Sequence, residues 1–304
     1  MKLSAPLSPS EVLAQVAQAL PEAVRANVII IGSLAAGYHF FFGDGAAAIR
    51  TKDLDCLLSP HAKALAAAAE VTEQLIGADW SQRQDAQWGK PGDEDVALEA
   101  LPMVRLRPPS DSEWFLELLA APPQYHHGAP DKKLERVHTK VGDFAICSFG
   151  YLALAEWQPL ATQHGVYIAR PEMMALSNLL HHPVIGDVRI GGTEYKRANK
   201  DLGRVLALAH LTIARDRKDG TDELAEWPQR MWQALQAKFG DQAKPLAQRA
   251  GTGISALLSS PSDLQQALRI ANLGLLTSMD VGMDAIRATG RRFQAEVLEP
   301  LAAI

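Results

Sequence analysis

The pattern of hydrophobic and polar positions divides the chain into a mixed first part and a helical second part. Short apolar or alternating runs predict strands; these are Val28–Ile31, Thr51–Leu58, Trp80–Gln84, Val96–Arg107, Trp114–Leu119, Phe144–Phe149 and Val166–Ala169. Apolar positions at helical spacing predict helices; these are Ser8–Leu20, a helix from Ser33, Ser59–Gly77, Arg170–Leu180, Tyr195–Leu208, Asp222–Phe239, Pro245–Leu258, Pro261–Leu276 and Asp280–Leu298. The order of these elements predicts an α+β fold.

We expect residues 1–169 to form a mixed β-sheet with flanking helices and residues 170–304 to form an all-helical domain. The 304 residues are 47% hydrophobic and 21% charged, which is an ordinary globular composition with room for one large domain or two. A net charge of −5 argues against a general nucleic-acid coat.

The two cysteines, Cys56 and Cys147, lie in apolar runs and are typical of small core residues in a reducing compartment. No stretch approaches about 18 uncharged apolar residues, the length that a membrane-spanning helix needs. We therefore expect a cytoplasmic protein with no membrane partner.

The candidate functional residues lie directly after the first predicted strand and within the second. Gly32 allows a sharp turn after Ile31, and Ser33 is a suitable N-cap for a helix whose N-terminus would attract phosphate. Asp53 and Asp55 stand two residues apart in a strand, so both carboxylates emerge on one face, where a cation would relieve their repulsion. The alternative is that both aspartates are only the polar face of an edge strand and that Gly32 and Ser33 form an ordinary cap.

A strand–Gly–Ser–helix turn followed by an Asp-x-Asp strand resembles the DNA polymerase β-like nucleotidyltransferase superfamily. The resemblance is closest to its minimal bacterial branch, with toxin–antitoxin, abortive-infection and aminoglycoside-modifying enzymes. It implies a nucleotidyltransferase-type sheet in which Gly32 and Ser33 hold the nucleotide phosphates. It also implies that Asp53, Asp55 and a third carboxylate bind two Mg²⁺ (or Mn²⁺) ions.

Glu117 is the candidate for that third carboxylate, where the family more often has Asp, because a charge among large apolar strand residues needs a partner. Glu113, four positions earlier and expected on the same strand face, is the reserve candidate. The resemblance also assigns Lys196 and Lys200 to the triphosphate.

The family has a further lysine one helix earlier, where this chain has Asn178 or Ser177. The basic residues from Lys196 to Arg204 also fit a solvated helix face, with Asp201 pairing Arg197 or Arg204.

The resemblance implies transfer of an NMP from an NTP to an acceptor hydroxyl, with pyrophosphate released and Glu117 available as general base. The acceptor stays open between a small molecule such as an antibiotic, a tRNA end and a protein hydroxyl. One alternative is a degenerate protein that binds nucleotide or a partner without turnover, as a regulatory or toxin–antitoxin component. The other is a plain α/β scaffold.

Overall fold

The structure is a computed structural model of the chain. It describes residues 6–42, 48–82, 90–109, 113–122, 133–148, 150–191 and 193–304. The chain divides into two compact units: the described residues up to Ala169 form the first, and Arg170–Ile304 form the second. The first unit is a mixed sheet with flanking helices, and the second is helical.

The described residues of the first unit form nine strands that belong to one sheet. They are β1 (Val28–Ile31), β2 (Asp53–Leu58), β3 (Ser81–Gln82), β4 (Arg105–Arg107), β5 (Phe115–Ala120), β6 (Lys133–Thr139), β7 (Gly142–Ser148), β8 (Leu160–Ala161) and β9 (Tyr167–Ile168). The main order is β3-β4-β5-β2-β1-β9-β8, and β7 joins β5 while β6 pairs with β7. The predictions of β1, β2, β5 and β7 as strands are confirmed to within two residues at each end, with Phe149 lying outside the described residues.

The centre of the sheet combines parallel and antiparallel pairs. β2 runs antiparallel to β1 and parallel to β5, and β5 runs antiparallel to β4. The interpretation of the Asp53–Asp55 strand as an edge strand is therefore wrong, because β2 has a neighbour on both sides. One face of these strands is core, where Leu54, Cys56 and Leu116 are at most 1% exposed.

The predicted strand Val96–Arg107 is wrong over most of its length. Arg105–Arg107 forms β4 and Met103 makes an isolated bridge to Ala145, while Leu98–Ala100 is a turn of 3₁₀ helix. Pro102 has no N–H to donate and restricts the residue before it, so a regular ladder cannot run through this segment. The predicted strand Trp80–Gln84 is seen as β3, and its last two residues lie outside the described ranges.

Four helices accompany the sheet in the described part of the first unit: α1 (Pro9–Ala19), α2 (Glu22–Arg25), α3 (Gly32–Phe41) and α4 (His61–Gly77). Ser8 is the N-cap of α1, and its Oγ accepts a hydrogen bond of 3.4 Å from the Glu11 N–H. The prediction of Ser33 as N-cap of α3 is wrong. Ile31 is the N-cap residue, and Ser33 lies in the first turn.

The second unit contains eight helices among its described residues. They are α5 (Pro171–Ile185), α6 (Arg197–Asp219), α7 (Glu223–Phe239), α8 (Ala243–Ala250), α9 (Thr252–Ser259), α10 (Pro261–Leu273), α11 (Met283–Phe293) and α12 (Glu299–Ala303). The single helix predicted over Pro245–Leu258 is wrong, because the chain breaks at Gly251 into α8 and α9. A π-helical turn, Gln294–Leu298, joins α11 to α12.

Buried aromatic and small residues hold the helices of this unit together. Trp227 of α7 meets Phe293 of α11 edge to face, with ring centroids 5.9 Å apart. α6 and α10 approach so closely that a Cβ at Gly203 would lie 2.6 Å from the Ala267 carbonyl oxygen. In the described ranges, every helix is too short or too polar to span a bilayer.

Candidate functional site

The candidate site lies on the polar face of the central strands, where α3 begins. Ile31, the last residue of β1, is the register partner of Asp55, and Asp55 is in turn the partner of Glu117 on β5. Direct partners on neighbouring strands share a face. The sheet therefore brings the end of β1, the two aspartates and Glu117 to one place.

Gly32 makes the turn from β1 into α3 with a positive φ of 73°, a conformation that favours glycine. A Cβ built at Gly32 would lie 3.2 Å from Asp55 Oδ2, so the carboxylate lies directly against this turn. Gly32 and Ser33 are the first two residues of the ten-residue helix α3. Their N–H groups are among the four that have no acceptor within the helix, and these groups favour an anion.

The two aspartates are half-buried and face away from the core. Leu54 between them and Cys56 after them are each 1% exposed, as the alternation of strand side chains requires. Thr51 Oγ1 donates a hydrogen bond of 3.0 Å to Asp53 Oδ1, which orients that carboxylate. Burial, and then the negative charge of Asp55, raise the pKa of the Cys56 thiol, so Cys56 is a protonated core side chain.

Glu117 has an ion-pair partner that the sequence did not reveal. Arg105 Nη2 donates a hydrogen bond of 2.9 Å to Glu117 Oε1, and the two side chains are only 19% and 14% exposed. Arg105 is the register partner of Glu117 across β4 and β5, and its guanidinium carbon lies 5.8 Å from the centre of the Phe115 ring. In the sequence, this ion pair was signalled only by two arginines, Arg105 and Arg107, on either side of Leu106 in a predicted strand.

The reserve candidate Glu113 does not share the strand with Glu117. β5 begins at Phe115, and Glu113 is an exposed residue before it. The prediction that it lies on the same strand face is therefore wrong.

Lys196 and Lys200 belong to the second unit. Lys196 is the N-cap residue of α6, and its Nζ lies 3.1 Å from Asp263 Oδ2. Asn199 donates to Asp263 Oδ1 at 3.0 Å and to Gln266 Oε1 at 3.0 Å, which completes a polar network between α6 and α10. Lys200 is a half-buried residue in the first turn of α6.

The alternative pairing of Asp201 with Arg197 or Arg204 is wrong. Asp201 is 5% exposed, and its Oδ2 lies 3.2 Å from His181 Nδ1. Asn178, at the place of the family's additional lysine, donates to the Met174 carbonyl of its own helix at 2.8 Å. Asn178 is uncharged, so it cannot supply the positive charge of that lysine.

The three candidate carboxylates differ in how well their surroundings fit a cation. Asp53 and Asp55 offer the carboxylate oxygens that Mg²⁺ prefers. The arginine partner of Glu117 already balances its charge. Within the described residues, no group of three or more His, Cys, Asp or Glu side chains is arranged to hold a metal ion.

Comparison of the chain with protein-family models, with curated proteins and with solved structures gave no match.

Proposed function

We propose that this protein is a metal-dependent nucleotidyltransferase that moves an NMP from an NTP to an acceptor hydroxyl and releases pyrophosphate. One observation carries the proposal: the left-handed Gly32 turn at the start of α3 lies against the Asp55 carboxylate, on central strands of a mixed sheet. A helix end that would bind an anion and a carboxylate that would bind a cation are thus adjacent. A metal-bound triphosphate carries negative phosphates, which complement the helix N-terminus, and a cation, which complements the carboxylate.

Different residues of this site would bind the phosphates, bind the metal ion and orient its ligand. The N–H groups at Gly32 and Ser33 would bind the β- and γ-phosphates, because the helix N-terminus carries a partial positive charge. Asp53 and Asp55 would hold Mg²⁺ or Mn²⁺, which supplies Lewis-acid stabilisation of phosphoryl charge when bound. Thr51 would keep the Asp53 carboxylate oriented through its hydrogen bond.

Glu117 is a weaker candidate for the general base than the sequence suggests. Its Oε1 already accepts a hydrogen bond of 2.9 Å from Arg105 Nη2, so the carboxylate is held by the sheet and is not placed for an acceptor hydroxyl. We therefore assign no base to the acceptor hydroxyl, whose chemical class also stays a proposal between small molecule, tRNA and protein.

The second candidate function is nucleotide binding without turnover, as a regulatory or toxin–antitoxin component. Two observations favour it: the third carboxylate is neutralised by Arg105, and Asn178 stands where the family has a lysine. Both changes remove groups that would act on the transferred phosphate, and both leave the Gly32 turn and the two aspartates in place.

The test is a thermal-shift panel of the four NTPs with and without Mg²⁺ or Mn²⁺. A ligand that binds only the folded state stabilises it by about 2.7 kcal/mol at a hundredfold excess over its dissociation constant, which shifts the melting temperature measurably. We expect a metal-dependent shift with at least one NTP in the wild type and its loss in Asp53→Asn/Asp55→Asn. The matched control is Glu94→Gln, which removes an exposed loop carboxylate and should retain the shift.

Pyrophosphate release separates the two candidate functions. The NTP that shifts the melting temperature is incubated with candidate acceptors, and pyrophosphate is measured by a coupled assay. Release that is lost in Asp55→Asn supports the transferase. Binding without release supports the second candidate, and no shift with any NTP contradicts both.

A further inference from the structure

His182 lies in the last turn of α5, and one edge of its ring contacts the backbone of α9. A Cβ built at Gly253 would lie 2.1 Å from His182 Nε2, 2.4 Å from its Cε1 and 2.7 Å from its Cδ2. These three atoms form the outer edge of the imidazole ring, which therefore occupies the space that a side chain at Gly253 would need. The two helices can approach so closely only because α9 has a glycine at this position.

The nitrogen at the centre of this edge is buried against Gly253. His182 Nε2 has no hydrogen-bond partner among the described residues, whereas buried polar groups are normally paired. A neutral imidazole has one N–H, which can lie on Nδ1 and leave Nε2 with a lone pair. A protonated imidazole has a second N–H, and at Nε2 this donor would be directed at the Gly253 backbone with no acceptor in reach.

The charged and titratable groups around His182 come from three helices: His181 on α5, Asp201 on α6 and Arg249 on α8. Burial is the main reason that the pKa of His182 is lowered, because it disfavours the charged ring. The charge of Asp201 acts in the opposite direction, while Arg249 and His181 lower the pKa further. The eight residues of α9 include no charged side chain, so this helix offers the protonated ring no counter-ion.

α9 is a short helix whose packing depends on a few apolar side chains. It follows a break in the chain at Gly251, and its residues Ile254 and Leu257 are 0% and 2% exposed. A helix of eight residues is not stable by itself in water, so its order depends on its contacts with neighbouring helices.

We propose that the contact between His182 and Gly253 is pH-sensitive, so that protonation of His182 separates α9 from α5 and exposes Ile254 and Leu257. When α9 is displaced, water solvates the charged ring and the second N–H finds an acceptor. Since the folded-state pKa is lowered, the contact contributes fully to stability above about pH 6.5, and this contribution is lost as the pH falls. The inference concerns the helical unit and does not depend on the proposed function.

The test is amide hydrogen exchange of α9 in the full chain, measured by mass spectrometry at about pH 7.5 and about pH 5.5 and corrected for the intrinsic exchange rate. A displaced His182 titrates near about pH 6.5, so its single proton can raise the opening constant by at most about tenfold over this range. We expect a rise of at least about threefold in the wild type and no rise in His182→Gln, which cannot be protonated. The matched control is His210→Gln, which removes a half-buried imidazole from α6 and should keep the wild-type rise.

Gly253→Ala tests the geometry of the contact. The new methyl group would overlap the imidazole ring, so α9 should exchange at least about threefold faster than in the wild type at pH 7.5, although alanine is the better helix former. In a His182→Ala background the ring is absent, and the same substitution should not accelerate exchange. Circular dichroism checks that each variant is folded, and His182→Gln carries the test if Gly253→Ala is not.

Three results would each overturn the inference. The first is a rise in wild-type α9 exchange that stays below about threefold between the two pH values. The second is a rise in His182→Gln as large as that in the wild type. The third is a folded Gly253→Ala whose α9 exchanges no faster than that of the wild type at pH 7.5.

Discussion

Replacing Gly32 by alanine should damage the candidate site through the backbone. The residue has a φ of 73°, and a left-handed conformation costs a non-glycine residue about 1–2 kcal/mol. The new Cβ would also lie 3.2 Å from Asp55 Oδ2, closer than ordinary van der Waals contact, so the carboxylate must move by a few tenths of an ångström. We expect Gly32→Ala to be destabilised by about 1–2 kcal/mol and to lose metal-dependent NTP binding.

Gly220→Ala separates the backbone cost from the effect on Asp55. Gly220 ends α6 with a φ of 68°, and a Cβ there would meet nothing within 4 Å. This variant should also lose stability, because a positive φ penalises any residue with a Cβ, and it should keep NTP binding. Urea unfolding followed by circular dichroism gives the stabilities, and the thermal-shift panel gives the binding.

Binding of an NTP and Mn²⁺ by Gly32→Ala as tightly as by the wild type would contradict a role for this turn. Loss of NTP binding to the same extent in Gly220→Ala would contradict it equally. Either result would mean that the close approach of the Gly32 turn to Asp55 has no part in the site.

Three further predictions concern the helical unit. Gly203→Ala would place a Cβ 2.6 Å from the Ala267 carbonyl oxygen, and because backbone must shift we expect a loss of about 1–3 kcal/mol in urea unfolding. Burial raises the pKa of the Glu172 carboxyl. The contribution of this carboxyl to the free energy of unfolding is therefore present below about pH 4 and is lost as the pH rises through its folded-state pKa. The stability of Glu172→Gln should accordingly increase relative to that of the wild type between about pH 4 and pH 7. The hydrogen bond from Asn199 lowers the pKa of Asp263, burial opposes it, and the hydrogen bond from Lys196 lowers it further. Asp263→Asn should therefore be less stable than the wild type at pH 7, and the difference in free energy of unfolding should shrink as the pH falls below about 4.

Matched variants control these predictions. A Cβ at Gly290 would lie 2.8 Å from Leu258 Cδ2, the end of a side chain that can rotate, so Gly290→Ala should stay within about 0.5 kcal/mol of the wild type. Glu94→Gln, in an exposed loop, should follow the wild-type dependence of stability on pH. Equal losses in Gly203→Ala and Gly290→Ala, or equal pH profiles for all the carboxylate variants, would contradict the packing and pKa arguments.

The sequence predicted the features that depend on local periodicity. Alternation along β2 predicted that Asp53 and Asp55 lie on one face of the strand and Leu54 and Cys56 on the other. The glycine after an apolar strand predicted the turn into α3. These features follow from the two-residue period of a strand and from the conformational freedom of glycine, which need no knowledge of distant residues.

The partner of Glu117 could not be predicted in the same way. Arg105 precedes it by 12 residues, and the two meet only because β4 and β5 pair in one particular register. The pairing of Lys196 with Asp263 depends on the packing of α6 against α10, 67 residues apart along the chain. Strand β6 was also missed, because its two apolar residues, Leu134 and Val137, are three positions apart and so lack the two-residue period of a strand. Among the described strands, β6 pairs only with β7.

Equilibrium dialysis of each NTP with MnCl₂ against the wild type and Asp55→Asn tests directly whether Asp55 belongs to a metal-dependent nucleotide site. We expect at least one NTP to bind the wild type at one molecule per chain, only when Mn²⁺ is present, and Asp55→Asn to weaken this binding at least about tenfold. A nucleotide site at Asp55 is contradicted if no NTP binds the wild type, or if an NTP binds both proteins with the same affinity.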